Sequence, residues 1–246
     1  DCLRFGRINK EVYLDDYRYK ALQNLTRARF FAVQNLVKEK QRFLNYLFKK
    51  YSTMAQEKVF SNTFSTSALA VYEEFDSAET LADMDLQQLT EFLIQKGKNR
   101  FPDPESVAKA IQKAARSSYR LPKTINDSVN QVLSISISSM KALESQIKAF
   151  DKAIAAQMEL IPNTLTSVNG IGPVYSAGII AEIGDINRFP NQAALAKHAG
   201  LVWSQHQSGD FEVQNTRLIK SGNRYLKYYL CEAAMSLVRC DAEYSR

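Results

Sequence analysis

The stretch LTSVNGIGPVYSAGIIAEIGDINRFP, residues 165–190, separates two parts of the chain that differ sharply in glycine content. Five of the nine glycines lie between positions 170 and 200, and two more follow at positions 209 and 222. Glycine is needed where a backbone turns sharply or approaches another group closely. The first 160 residues contain only two glycines. We therefore expect a long helical support followed by a glycine-rich functional region.

Two long helices are predicted before this stretch. The first begins at Asp15, because Asp15 and Asp16 suit a helix N-terminus through capping and the helix dipole. Its apolar residues recur at helical spacing, at Leu22, Leu25, Ala28, Ala32, Leu36, Phe43 and Leu47. The second helix covers 124–161 and carries a seven-residue ladder of Leu133, Met140, Ile147, Ile154 and Ile161. Such a ladder is typical of a coiled coil.

Two arrangements fit this ladder. The simpler one is an antiparallel hairpin with the first long helix, and the other is a homodimeric coiled coil. A strand-like alternation of Leu133, Ile135 and Ile137 competes with the helix near its start. The length of the surrounding pattern favours the helix.

Shorter helices are predicted at 67–75, 81–96, 105–118, 174–183, 192–199 and 223–238. Gly97 is expected to end the second of these, and Pro104 to stand near the first position of the third. Residues 201–216 are expected to form a loop or an irregular strand. The fold class is therefore mainly α, with long antiparallel coiled-coil helices followed by a helical domain.

The segment Gly170-Ile171-Gly172-Pro173 has the pattern of a helix-hairpin-helix. Its glycines would let the turn sit against a phosphate, and the amides that open the second helix would face the anion. Pro173 suits the first position of that helix. Gly170, Ile171 and Gly172 are therefore candidate contacts to a DNA backbone, independent of base sequence. A simple packing corner between two helices is the alternative.

Basic residues are concentrated in two places, on a chain whose formal net charge is +6. Between positions 17 and 50 only Glu39 opposes nine basic residues, which include Arg27 and Arg29. Lys220, Arg224 and Lys227 flank a turn before the last helix, where a second phosphate-binding helix N-terminus is predicted. The alternative for both places is an ordinary solvated surface. The sequence contains no apolar run of membrane-spanning length.

The remaining candidates for chemistry are weaker. Ser208 lies in a polar loop and, from composition alone, fits a plain turn better than a nucleophile, which needs a base or a metal beside it. His198 and His206 are too few for a usual metal site, and we expect them to be structural or to contact phosphate. Trp203 is expected to anchor the core rather than to stack on a base. Three cysteines without metal spacing favour a reducing, intracellular setting.

Several motifs together resemble one family. They are VNGIGP (168–173), AEIGDINRF (181–189), ALAKHAGL (194–201), QSG (207–209) and KSGNRYLK (220–227), with DCLRFGRI (1–8) and YKALQNLTRAR (19–29) before them. In combination they resemble insertion-sequence transposases that pair a RuvC-like DEDD domain with a serine-bearing C-terminal domain, also known as bridge-RNA-guided recombinases, with DNA invertases as relatives. The resemblance extends over nearly the whole chain.

The resemblance implies DNA cleavage and strand exchange at insertion sites. Ser208 would attack the phosphodiester and form a covalent protein–DNA link. Mg²⁺, held by acidic residues outside this chain, would assist this attack. The implied partners are DNA, a structured guide RNA and further copies of the protein, in the nucleoid of a prokaryotic cytoplasm, with no membrane.

The resemblance also divides the chain. Residues 1–14 would be a remnant of the RuvC-like domain, 15–161 the coiled coil and helical linker, and 162–246 the C-terminal transposase domain. The RuvC-like acidic residues and most of that sheet would precede position 1, and both ends of the chain are expected to be truncated. We therefore expect the chain itself to bind nucleic acid without catalysing recombination.

Three functions remain open from the sequence. The first is a fragment of a transposase with a serine nucleophile. The second is a non-catalytic DNA-binding module built from a coiled coil and a helix-hairpin-helix. The third is a coiled-coil scaffold whose basic helix is only solvated.

Overall fold

The computed structural model describes residues 16–54, 56–57, 59–98, 101–204, 207–208, 211–212 and 217–245. Within these ranges the protein is mainly α-helical, as predicted. A pair of two-residue strands, β1 (Gln207–Ser208) and β2 (Phe211–Glu212), forms one antiparallel ladder. The predicted RuvC-like remnant at 1–14 lies outside the described residues.

The two long helices are α1 (Tyr17–Lys50) and α6 (Lys123–Met158). Asp16 accepts a hydrogen bond from the backbone N–H of Arg18 at 2.8 Å, which caps the start of α1. In α6 the ladder residues Leu133 and Ile154 are buried, whereas Ile135 is exposed, as a helix and not a strand requires. Both helices are confirmed, and their pairing as a coiled coil stays a prediction.

The chain divides into two compact units. The first unit comprises the residues up to Phe31 together with those from Gln146 onwards, and the second comprises Ala32–Ser145. The long helices α1 and α6 each contribute a part to both units. The domain boundaries implied by the family resemblance stay a prediction.

The second unit contains four shorter helices, α2 (Thr66–Glu74), α3 (Ala78–Asp83), α4 (Leu86–Gly97) and α5 (Pro104–Ser117). Their N-termini are capped by the side chains of Ser65, Ser77, Asp85 and Asp103. Pro104 occupies the first turn of α5, as predicted. The core of this unit is built from large apolar side chains, among them Phe43, Leu81, Leu89, Leu93, Ile111 and Leu133.

The prediction of one helix over 81–96 is wrong, because the chain breaks between α3 and α4. The carboxylate of Asp85 accepts the backbone N–H groups of Gln87 and Gln88 at 3.0 and 3.2 Å and so begins a new helix. The amide of Gln112 donates to the carbonyl oxygen of Met84 at the break. These side-chain bonds replace the helical bonds that a continuous helix would have made.

Gly97 is the last residue of α4 rather than the residue after it. Lys98 takes the left-handed conformation instead, with φ of 50°. A Cβ on Gly97 would lie 2.6 Å from the ring of Phe101. The glycine is therefore required by close packing and not by a left-handed turn.

The first unit contains α7 (Pro173–Ile183), α8 (Gln192–Ala199) and α9 (Arg224–Cys240), with single 3₁₀ turns at Leu165–Ser167 and Ile186–Arg188. The three predicted helices are confirmed. Helices α7 and α9 pack so closely that a Cβ on Gly178 would lie 2.4 Å from the ring of Tyr229. The hydroxyl of Tyr229 donates to the carbonyl oxygen of Thr26 at 2.8 Å, which ties α9 to α1.

The prediction that Trp203 anchors the core is wrong, because 65% of this residue is exposed. Trp203 forms an isolated antiparallel bridge with Leu218. Backbone hydrogen bonds hold the two segments together, from Ser204 N–H to Arg217 carbonyl at 2.7 Å and from Ile219 N–H to Val202 carbonyl at 3.0 Å. Backbone pairing, and not burial of the indole, fixes this segment.

Candidate nucleic-acid interface

A buried carboxylate connects three elements of the first unit. The side chain of Glu182 on α7 has no exposed surface. It accepts hydrogen bonds from Gln23 Nε2 at 3.2 Å and from Asn223 Nδ2 at 2.7 Å. Arg27 adds two more, from Nε at 2.7 Å and from Nη2 at 2.8 Å. A buried charge is costly unless it is paired and hydrogen-bonded, and Glu182 is both.

Arg27 and Arg29, two of the predicted DNA contacts, have partners inside the protein. The bidentate hydrogen bonds to Glu182 raise the pKa of Arg27 above its ordinary value. Arg29 Nε lies 2.5 Å from Asp151 Oδ1 on α6. Each guanidinium therefore fixes α1 to another element of the first unit, and a DNA contact for either residue stays a prediction.

Asn223 fixes the start of α9. Its Oδ1 accepts the backbone N–H groups of Tyr225 and Leu226 at 3.0 and 3.1 Å. Its own backbone N–H donates to the carbonyl oxygen of His198 at 2.7 Å. Together with the bond to Glu182, these contacts join the end of α8, the start of α9 and the buried carboxylate.

Two glycines allow α8 and the turn before α9 to meet. Gly222 has φ of 120°, and a Cβ there would lie 2.6 Å from the backbone nitrogen of Gly200. Gly200 ends α8 with φ of 72°. No side chain fits at either position without moving the backbone. The sequence KSGNR is therefore explained by this close approach and by the cap that follows it.

A shallow basic depression of about 460 Å³ lies at this junction, and we call it the α9 depression. Its charged or titratable side chains come from α1, α8 and α9, and none of the described residues that line it is acidic. The lining residues are Arg27, Lys197, His198, Gly222, Asn223, Arg224 and Tyr225. The positive end of the α9 dipole adds to the same field.

Arg224 is held in place by aromatic rings rather than by an acid. Its Nη2 donates to the hydroxyl of Tyr225 at 2.7 Å. Its guanidinium carbon lies 4.7 Å from the ring centre of Tyr225 and 5.7 Å from that of Phe31. Arg27 lies over the ring of Tyr225 as well, at 4.5 Å. Because no carboxylate pairs with Arg224 among the described residues, its charge is available to a bound anion.

The other predicted cations differ from Arg224 in their surroundings. Lys220 is exposed on the turn before α9. Lys227 is partly buried, and its Nζ donates to the carbonyl oxygen of Gly200 at 3.3 Å. Sequence reasoning missed Lys197, although a lysine in the last turn before a helix-ending glycine was visible in AKHAG. His198 was expected to be structural or to contact phosphate. Its ring centre lies 5.3 Å from that of Phe189, and the residue lines the depression.

The predicted hairpin at Gly170–Pro173 has only a single 3₁₀ turn, Leu165–Ser167, before it. Gly170 has φ of 89°, and a Cβ there would lie 3.0 Å from backbone atoms of Ser236 and Leu237 on α9. Ile171 packs against the core. Gly172 caps α7, is exposed, and has open space where a Cβ would be. Packing thus accounts for Gly170, whereas phosphate binding at the hairpin stays a prediction.

Ser208 belongs to β1, where it pairs with Phe211 of β2. His206, expected to be structural or to contact phosphate, and Gly209, which follows Ser208, lie outside the described residues. The role of Ser208 as a nucleophile stays a prediction. Among the residues that the structure describes, no group of three or more His, Cys, Asp or Glu side chains could hold a metal ion. No helix in the described part of the chain could cross a membrane.

Arg27 is paired with Glu182, but the other cations of the α9 depression have no acidic neighbour among its described lining residues. The depression is therefore a candidate site for a polyanion such as the nucleic-acid backbone. Residues 163–246, which contain α7, α8 and α9, match the family model described as "Transposase IS116/IS110/IS902 family". This region is therefore similar to the transposase domain of that family.

Three curated relatives agree with this match. A "Probable family 20 transposase" of Pseudomonas aeruginosa is 30% identical over 105 residues, 42% of this chain and 31% of that protein. An "Insertion element IS116 uncharacterized 44.8 kDa protein" of Streptomyces clavuligerus is 27% identical over 164 residues, 63% of this chain and 38% of that protein. The "Transposase for insertion sequence element IS1111A" of Coxiella burnetii is 36% identical over 73 residues, 30% of this chain and 20% of that protein.

The aligned part of the chain thus spans between 20% and 38% of the length of these relatives. No solved structure matches the chain significantly.

Proposed function

We propose that the chain is part of a DNA transposase and that its first unit holds the DNA backbone at the α9 depression. The α9 depression is the observation that carries this proposal. Most of its lining residues lie in the region that is similar to transposases of insertion sequences. The remaining lining residue, Arg27, lies on α1, outside the matched region.

The physical support is the arrangement of the charges. Arg27, Lys197 and Arg224 come from three different helices and face one depression, whose described lining residues include no acid. Glu182 pairs with Arg27, so that Lys197 and Arg224 carry most of the positive charge offered to a ligand. The hydrogen bonds of Glu182 and Asn223 fix two of these helices before any ligand arrives. A site that is ordered in advance loses little conformational entropy on binding. Backbone phosphates are bound in this way without reading the base sequence.

The solvated-scaffold function explains these residues less well. Solvated lysines and arginines on a helix surface do not need a buried carboxylate, an asparagine cap and two close glycines to place them. The non-catalytic DNA-binding module would use the same depression and differs from the transposase only in chemistry. The similarity of residues 163–246 to a transposase family favours the transposase.

Salt dependence of DNA binding tests the proposal directly. The slope of log K against log salt is negative, and each phosphate contact that is lost reduces its magnitude by about 0.9. We expect Arg224→Ala to weaken binding of the 246-residue chain to duplex DNA and to reduce the magnitude of this slope by about one. Fluorescence anisotropy over a range of salt concentrations measures both quantities.

Arg239→Ala is the matched control, because Arg239 is an exposed arginine in the last turn of the same helix. Its slope and affinity should stay close to those of the unchanged chain. Equal losses in the two variants would show a general charge effect, and an unchanged slope in Arg224→Ala would refute the role of the depression.

We also propose, from the family resemblance, that Ser208 is the nucleophile. Its Oγ would form an ester bond to phosphorus, the bond from phosphorus to one deoxyribose oxygen would break, and the serine proton would pass to that oxygen. Mg²⁺ and guide RNA would act in the longer protein, whose metal ligands would lie outside the described residues. A covalent DNA adduct on a denaturing gel, absent in Ser208→Ala, is expected from the protein extended to the length of its relatives.

A further inference from the structure

We infer that the surface formed by Phe31 and Arg224, beside the α9 depression, binds an unpaired DNA base. The inference rests on the proposed function and adds to it that one base of the bound DNA is unpaired. A strand that offers its phosphate to the depression would place one base, turned out of the duplex, against the ring of Phe31.

The two neighbouring phenylalanines on α1 differ in exposure, although Phe31 also lies edge-on to Phe30 and Tyr225, with ring centres 5.6 and 6.1 Å apart. Phe30 packs edge-on against Tyr225 and Tyr228, with ring centres 5.3 and 4.8 Å apart. Phe31 follows it in sequence, yet 47% of the residue is exposed. Its exposure is therefore not explained by a lack of apolar partners nearby.

Arg224 connects this exposed ring to the phosphate site. Its guanidinium carbon is 5.7 Å from the ring centre of Phe31, while the same side chain lines the depression. Arg27 is one helical turn before Phe31 on α1 and lines the depression too. A cationic groove beside an exposed aromatic ring is the arrangement by which proteins bind single-stranded nucleic acid.

The state of the base follows from what a ring can contact. In a duplex both faces of each base are covered by stacking, so that only the groove edges and the backbone are accessible. An unpaired or extruded base presents a free face, on which an aromatic side chain can stack. Phe31 has no polar atom with which to bind a phosphate or to hydrogen-bond to a groove edge, and in a duplex it could contact only the methyl group of a thymine. Stacking on an unpaired base uses the whole face of the ring and is therefore the favoured contact.

The test compares three duplexes of one sequence: fully paired, with a single unpaired adenine, and with an abasic site in place of that adenine. We expect the 246-residue chain to bind the bulged duplex about tenfold more tightly than the other two. Phe31→Ala should remove this preference and leave binding of the paired duplex unchanged. Phe31→Trp should retain it. Fluorescence of 2-aminopurine at the bulge should be quenched by the unchanged chain and by Phe31→Trp only.

Phe48→Ala is the control, because Phe48 is an equally exposed phenylalanine, at 51%, on the same helix. It should keep the tenfold preference. Circular dichroism shows whether each variant folds. If Phe31→Ala does not fold, Phe31→Leu replaces it, because leucine keeps an apolar side chain without a ring. Like Phe31→Ala, the leucine variant should lose the preference.

The outcomes separate the inference from the proposed function. Equal affinity for the paired and bulged duplexes would overturn the inference and leave the proposed function standing. Binding of the abasic duplex as tightly as the bulged one would overturn stacking, because flexibility alone would then explain the preference. A preference confined to RNA strands, or a loss of self-association in Phe31→Ala with no change in bulge preference, would also overturn it. Absence of DNA binding altogether would overturn both.

Discussion

At the scale of single residues, the first unit depends on a charge that solvent cannot reach. Glu182 accepts four hydrogen bonds from α1 and from the cap of α9. In the sequence Glu182 is one of the two acidic residues of the segment AEIGD, and nothing there distinguishes it from a surface residue. Its partner Arg27 is 155 positions away, so the pair exists only through tertiary packing.

Glu182→Leu should therefore destabilise the protein strongly. It leaves the guanidinium of Arg27 and the amide of Asn223 without their acceptor, and about a third of the Arg27 side chain is exposed to solvent. Because solvent can stabilise part of this charge, we expect a loss of about 1–3 kcal/mol in the free energy of unfolding, less than for a fully buried pair. Urea unfolding followed by circular dichroism measures this change. Glu232→Leu, at an exposed position of α9, should stay within about 0.5 kcal/mol of the unchanged chain, and an equally small effect at Glu182 would contradict the prediction.

Lys50, the last residue of α1, gives the second unit an unusual dependence on pH. Its ammonium is almost completely buried, and its Nζ donates to the carbonyl oxygen of Tyr72 at 2.9 Å. Burial lowers the pKa of Lys50 from 10.5 to about 8, although the charge of Asp76 opposes this. Between these two values the unfolded chain binds more protons at this site than the folded one. The stability contributed by this site therefore rises with pH above 8.

We expect the free energy of unfolding to increase from pH 8 to pH 10 in the unchanged chain and not in Lys50→Met. The window ends near pH 10, because burial raises the pKa of Tyr51 and Tyr72 above their ordinary value of 10. Above that pH the unfolded state loses tyrosine protons first, which destabilises the fold. Urea midpoints across this window provide the measurement, and parallel curves for the two proteins would exclude the role of Lys50.

At the scale of elements, the sequence predicted helices well where periodicity and caps agree. Helices α5, α7 and α8 begin within one residue of their predicted starts, because proline or asparagine marks each first turn. The break at Asp85 was missed, because apolar spacing continues through it and only the carboxylate cap reveals it. Trp203 was misjudged because the bridge that holds it is made by backbone atoms.

The candidate site was predicted only in part. Lys220 and Arg224 were predicted as contacts because they flank a glycine turn at a helix start, but of the two only Arg224 is among the described residues that line the depression. Lys197 and the buried Glu182 were not predicted. Lys197 lines the depression only because the end of α8 meets the start of α9, and Glu182 is recognisable only from its tertiary contacts. The close approach of Gly200 and Gly222 that brings these ends together is a contact between positions 22 apart, which local patterns do not encode.

Two glycines of α7 and its cap provide a matched pair for packing. A Cβ on Gly178 would lie 2.4 Å from the ring of Tyr229, whereas Gly172 has nothing within 4 Å of that position. Alanine favours helices by about 1 kcal/mol over glycine. We nevertheless expect Gly178→Ala to destabilise the protein, because overpacking costs about 1–3 kcal/mol and shifts α9.

Gly172→Ala should leave thermal stability nearly unchanged. Its φ of −73° suits any residue, and it caps α7 with no side-chain hydrogen bond. Differential scanning calorimetry of the two variants decides between the packing explanation and a general glycine effect. Equal melting temperatures for Gly178→Ala and Gly172→Ala would contradict the close packing of α7 on α9.

At the scale of the whole molecule, the proposed phosphate contacts lie toward opposite ends of α9. The α9 depression begins at Arg224, and the predicted hairpin packs on Leu237 through Gly170. Thirteen residues of helix separate these positions by about 20 Å, at 1.5 Å per residue. Duplex DNA rises 3.4 Å per base pair, so both contacts together would cover about six base pairs.

Affinity should therefore rise steeply with duplex length up to about six base pairs and only slowly beyond. If the hairpin binds phosphate, Gly172→Ala should weaken binding by placing a methyl group at the exposed start of α7 while leaving the fold intact. Because the two contacts are far apart, the losses from Arg224→Ala and Gly172→Ala should add within about 0.5 kcal/mol in the double variant. Anisotropy titrations of the four proteins on a series of duplexes measure both effects. A Gly172→Ala variant that binds as the unchanged chain does would assign the DNA contact to the α9 depression alone.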